Sequence, residues 1–108
     1  MADMQVEECH ALFLNQAAHV LGSMRVSQGG LASASVDVRL ILREAFMHRA
    51  TAMALCHNHP SGNLVPSRQD DELTRSIHQA CRTVDIQLLD HVIFTDWGYY
   101  SYADKGRL

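Results

Sequence analysis

The chain has 108 residues, 47% hydrophobic and 19% charged, a composition that suits one folded domain with one core and excludes a disordered or fibrous chain. A net charge of −3, with the basic residues scattered, excludes gripping duplex nucleic acid by charge alone. Three widely spaced cysteines without a Cys-x-x-Cys pair exclude a disulfide framework or a thiolate zinc knuckle, and no run of about 18 apolar residues reads as a membrane helix.

The opening MADMQVEECH has early acids and no apolar leader, so the expectation is a soluble cytoplasmic protein. HALFLN, residues 10–15, reads as a short buried strand, and VLGSMRVSQ, residues 20–28, as a second strand broken by Gly29 and Gly30. From Val38 to Arg49, the residues Val38, Ile41, Leu42, Ala45 and Phe46 recur at helical spacing. TAMALC, residues 51–56, is an apolar run of strand length, and both prolines, Pro60 and Pro66, lie in the loop after it. A second helix is predicted over residues 68–84, with Leu73, Ile77, Ala80, Cys81 and Val84 on one stripe. IQLLDHVIF, residues 86–94, and GYYSY after Trp97-Gly98 complete an order β-β-α-β-α-β-β. That order predicts a single α/β domain over residues 1–108, three-layered, with a mixed sheet between two helices.

The stretch CHNHPSGNLVPSRQDD, residues 56–71, carries the chemistry, and seven histidines are many for this length. Side chains two apart on a strand share a face, so His57 and His59 can converge at the carboxyl end of the third strand, where α/β sheets bind ligands. The proline-bracketed loop brings Asp70 back toward them. Two imidazoles and one carboxylate leave a fourth tetrahedral position for water, the pattern of a catalytic zinc. A plainer reading competes. His59-Pro60-Ser61-Gly62 suits a type I turn, Ser67 is a good helix N-cap, and Asp70 is an acid where the helix dipole favours one. Capping explains Ser-x-x-Asp, but it does not explain two histidines on one face beside it.

The spacing H-x-H, seven residues, S-x-x-D is filled by His57, His59, Ser67 and Asp70 and is similar to the JAMM (MPN+, JAB) metalloprotease signature. The longer string HNHPSGNLVPSRQD resembles the RadC-like branch, and the likeness runs from VEECHALFLN nearly to the C-terminus. It implies a cytidine-deaminase-like JAB/MPN fold, and zinc held by His57, His59 and Asp70. It also implies that Ser67 hydrogen-bonds the oxyanion formed when water attacks a carbonyl. Relatives of known activity cleave peptide or isopeptide bonds, which makes such a bond the implied substrate. No resemblance supplies the pathway, despite the branch's DNA-repair name.

JAMM enzymes also need an upstream glutamate as general acid/base. The resemblance puts it five residues before the glycine that ends the second strand, which here is Met24, and LGSMRVSQGG contains no acid. A thioether cannot carry a proton. The site is therefore expected to bind zinc and hydrolyse slowly, or to serve as an impaired zinc-binding module in DNA processing. Glu7 or Glu8 could substitute only if the first strand ran beside the site, which is not expected. Asp90-His91 reads as a structural hydrogen-bonded pair, or else as a pair that orients a ligand. His57-Asn58-His59 is not the HNH nuclease motif, and the H-x-E and P-C-x-x-C of nucleobase deaminases are missing.

Overall fold

The computed structural model describes residues 6–29 and 36–108. The first five residues, to which part of the leader reading applies, and Gly30, predicted as a strand breaker, lie outside the described residues. The elements are β1 (Glu8–Leu14), β2 (Val20–Gln28), α1 (Val38–Met47), β3 (Ala52–Asn58), α2 (Arg68–Thr83), β4 (Gln87–Phe94) and β5 (Tyr99–Ser101). This is the order expected. Two boundaries differ in ways that matter below: β1 begins two residues earlier than expected, and β3 runs two residues further and takes in His57.

The five strands form one mixed sheet in the order β2-β1-β3-β4-β5. β1 is antiparallel to β2 and to β3, β3 and β4 are parallel, and β5 returns antiparallel to β4. β1 therefore sits between β2 and β3, with Cys9 opposite His57 on one side and Ser27 on the other.

The core lies on one face of this sheet. Cys9, Ala11 and Phe13 of β1 and Met53 and Leu55 of β3 pack with Ile41 and Ala45 of α1 and with Leu73, Ile77 and Cys81 of α2. At the end of α1 the His48 ring stacks on Phe13, with centroids 5.3 Å apart, and covers Gly22, where a Cβ would collide with it. The mixed α/β sheet stands as expected, but the layering does not: both described helices cover the same face. The cause is handedness. The crossovers β2-α1-β3 and β3-α2-β4 step across the sheet in the same direction, and right-handed connections then put both helices on one side.

Met24 pairs with Ala11 and packs against the core. No helix among the described residues is long and apolar enough to cross a membrane.

Candidate metal centre

β3 carries His57 as its penultimate residue, and His59 follows just beyond its end. Both rings lie on the helix-covered face, 4.7 Å apart and edge to face. The expected turn then closes, with Gly62 N–H donating to His59 C=O at 3.0 Å. Gly62 has φ +82°, a left-handed conformation open to glycine, and the Trp97 indole lies against it. The loop leads into α2, whose N-cap is Ser67. Asp70 N–H donates to Ser67 Oγ at 3.1 Å, and Ser67 N–H donates to Asp70 Oδ2 at 2.7 Å, a reciprocal capping box. The plainer reading of Ser-x-x-Asp is thus correct, and it leaves the sharper one open. The cap holds Asp70 Oδ2, which also lies beside His59, and leaves Oδ1 to face His57.

Asp70 is 1% exposed and His57 fully buried. Asp70 Oδ1 lies 3.1 Å from His57 Nδ1, and Asp70 Oδ2 lies 3.1 Å from His59 Nε2. The contact with His57 is not aligned as a hydrogen bond, and among the described residues His57 Nδ1 and Asp70 Oδ1 have no hydrogen-bond partner. His59 Nδ1 meets the carbonyl of Asn63 at 2.7 Å. A carbonyl only accepts, so Nδ1 carries the hydrogen and Nε2 offers its lone pair to the cluster.

A fourth group completes the set. Glu7 Oε1 stands 2.7 Å from His57 Nε2 and 3.5 Å from His59 Nε2. The expectation that the first strand runs away from the site is therefore corrected: β1 is the direct neighbour of β3. The position deduced for the acid, residue 24, has the right face but the wrong height. Met24 is level with Ala11, four residues along β1 from Glu7, roughly 13 Å from it at strand rise. Adjacent Glu8 points away and accepts from His10 Nε2 at 2.8 Å.

One donor atom each from Glu7, His57, His59 and Asp70 lies within 4.8 Å of the others. Two buried polar atoms without partners, each costing roughly 1–3 kcal/mol when unsatisfied, would be satisfied by a cation between them. Imidazole and carboxylate donors of this kind suit a divalent metal ion. Burial alone would lower the His57 pKa, but the Asp70 and Glu7 carboxylates outweigh it and hold His57 above its ordinary value. Burial would likewise raise Asp70, yet His57 and the Ser67 N–H bring it down to about 2. Cys9, opposite His57, is pushed up by burial and stays a neutral thiol.

Asp90 and His91 are hydrogen-bonded as expected, but through the backbone: His91 N–H donates to Asp90 Oδ1 at 2.7 Å, while the two side chains go opposite ways. Asp90 turns to the β5 end, where Ser101 Oγ donates at 2.5 Å and Ala103 N–H at 3.0 Å. The His91 ring instead faces the core, with Nδ1 at 2.6 Å from Thr74 Oγ1, which itself donates to Asp70 C=O at 2.7 Å. Thr74 has one hydrogen, so His91 Nδ1 is the donor. Burial, and then the charge of His57, lower His91 to about 4. A neutral ring thus stacks between His57 and Tyr102, at 5.8 and 4.9 Å. Glu7, His59, Ser67 and Gln69 open onto a cleft of about 510 Å³, also lined by both prolines of the loop.

Comparison with known proteins agrees with this geometry. The sequence profile of the RadC-like JAB domain matches residues 1–107. A UPF0758 protein of Flavobacterium johnsoniae is 42% identical over 106 residues, covering 98% of this chain and 46% of the relative. One from Porphyromonas gingivalis is 42% identical over 109 residues, covering 100% of this chain and 48% of the relative. Another, from Bordetella petrii, is 43% identical over 108 residues with the same coverage. The chain spans about half the length of these relatives. With its sheet order, its two histidines at the end of β3 and its capped aspartate, the chain belongs to the family of RadC-like JAB domains.

Proposed function

We propose that this domain is a zinc-dependent hydrolase of the JAMM type, acting on a peptide or isopeptide bond. The observation that carries the reading is Glu7, a part-exposed carboxylate beside three buried groups suited to a metal, at the mouth of an open cleft. His57, His59 and Asp70 would hold the ion, which when bound supplies Lewis acidity to a carbonyl and lowers the pKa of an attacking water.

The remaining chemistry falls to the chain. Glu7 takes the proton from the attacking water and passes it to the leaving amine, the general acid/base role that Met24 could not fill. Ser67 uses a lone pair to cap α2, and its own O–H remains free to donate to the oxyanion. The Asn63 carbonyl and the Ser67 N–H hold His59 and Asp70 in orientation, so little reorganisation accompanies the reaction. The reading of an impaired binding module rested on the missing acid at residue 24 and loses that ground. Three free cysteines suit a reducing cytoplasm.

The test is metal analysis of protein purified without chelator, alongside cleavage of a panel of peptides and isopeptide-linked substrates. One zinc per chain is expected, with cleavage abolished by chelation and restored by zinc. Unchanged metal content in His57→Ala/His59→Ala, or no cleavage of any substrate by the zinc-loaded protein, would overturn the reading.

A further inference from the structure

The middle residue of His57-Asn58-His59 has no place in the chemistry above, yet it is fully buried and polar. Its side chain reaches across to β1. Asn58 Oδ1 accepts from Glu8 N–H at 2.6 Å, and Asn58 Nδ2 donates to Val6 C=O at 3.0 Å. The backbone pairing of β1 with β3 ends one step earlier, at Cys9–His57. Beyond that point β3 keeps only its pairing with β4, which runs through Asn58 and on to His59 N–H donating to Phe94 C=O at 2.9 Å. The primary amide therefore takes over where the ladder stops, offering one acceptor and one donor in a plane, as a peptide group would.

The two atoms it grips belong to residues 6 and 8, so the clamp brackets Glu7. On the other side of β1, Gly29 N–H donates to Glu7 C=O at 2.7 Å. Residue 7 lies just before β1 and would otherwise be a free strand end, where chains fray. Held on both sides, its carboxylate comes to rest 2.7 Å from His57.

We infer that Asn58 is a positioning residue for Glu7: its amide extends the β1–β3 ladder by one step and thereby sets the proton-carrying carboxylate against the metal ligands. This rests on the role of Glu7 proposed above. No other natural side chain of this length supplies both halves of the clamp. Asp lacks the donor, and Ala and Leu lack both.

Two measurements test it. Amide hydrogen exchange, resolved by residue on the unaltered zinc-loaded protein, reads the clamp without reference to activity. Glu8 N–H should be protected to within about tenfold of the β1 amides beyond it, and in Asn58→Ala it should lose protection while Ala11 and Phe13 keep theirs. Kinetics read the consequence. Asn58→Ala should lower kcat at least tenfold, with KM changed less than threefold and zinc content intact. The double variant with Glu7→Gln should be no slower than Glu7→Gln alone, since two residues acting through one group are not additive. Should Asn58→Ala fail to fold, Asn58→Leu, of similar size and lacking both halves of the clamp, takes its place with the same expectations. A Glu8 amide exchanging like an exposed one in the unaltered protein overturns the inference, as does a double variant slower by the product of the single effects. A protein whose Glu8 amide is protected but which cleaves nothing overturns the hydrolase reading, and with it the assigned role of the clamp.

Discussion

Replacing Glu7 with glutamine is the sharpest single perturbation of this site. The change keeps shape and removes only the capacity to carry a proton. Its effect on stability is bounded by the structure: the Glu7 side chain is 30% exposed and touches His57 and His59 from the solvent side. Partly exposed pairs of this kind contribute at most about 1 kcal/mol. The effect on rate is bounded differently. A positioned acid/base contributes about 10²–10⁴-fold, which is about 2.7–5.4 kcal/mol of barrier. Kinetics on a fluorogenic substrate, with zinc content and melting temperature measured on the same samples, should therefore show a large loss of kcat beside nearly unchanged metal and melting. Met24→Glu serves as the control. It sets a carboxylate against the core cluster, so it should destabilise the fold and leave the rate no faster. A loss of kcat under tenfold with zinc intact would refute Glu7 as proton carrier. Zinc lost in proportion to activity would make Glu7 a ligand instead. A rate gain in Met24→Glu would restore the second strand as the source of the base.

Ser67→Ala should cost about 1 kcal/mol of stability through the lost cap and also slow cleavage, because the hydroxyl accepts from Asp70 N–H while its own hydrogen is free. Thermal melts beside kinetics check this, and a normal rate in a folded variant would confine Ser67 to capping. For pH, the sign follows from His57. Its raised pKa means that protonation stabilises the metal-free fold, a contribution full below pH 6.5 and lost as pH rises through the folded value. Metal binding must displace that proton, so zinc affinity measured by chelator competition should begin to fall above pH 6.5 as pH is lowered, on the order of tenfold per pH unit. Affinity constant down to pH 6 would contradict the geometry that couples His57 to Asp70 and Glu7.

Much of the site was legible because it is local. His57, His59, Ser67 and Asp70 sit within 14 consecutive residues, and each of their relations follows from short-range rules: alternation along a strand, a proline turn, a capped first helical turn. The competing readings of Ser67 and Asp70 turned out to be compatible for the same reason. A capping box uses one acceptor site of a carboxylate oxygen and one hydroxyl lone pair, so Asp70 still reaches His59 through Oδ2 and His57 through Oδ1, and the Ser67 hydroxyl keeps its hydrogen to donate.

Glu7 was not legible in this way, because its contact with His57 spans 50 residues and depends on which strand neighbours which. The apolar pattern of HALFLN marks a strand but says nothing of its partner. Placing the acid on the second strand instead came from the resemblance and a count back from Gly29, with no sheet order behind it. Once β1 is inserted between β2 and β3, antiparallel to both, the start of β1 must lie at the end of β3, since antiparallel neighbours run tip to tail. Cys9 opposite His57 fixes the register, and the same-face rule then selects Glu7 over Glu8 without further choice. The acid pair Glu7-Glu8 ahead of an apolar strand was the available signal, and a sheet order was what it lacked. The same register explains why Asn58 is an amide: it is the residue of β3 that must meet β1 after the backbones have begun to part.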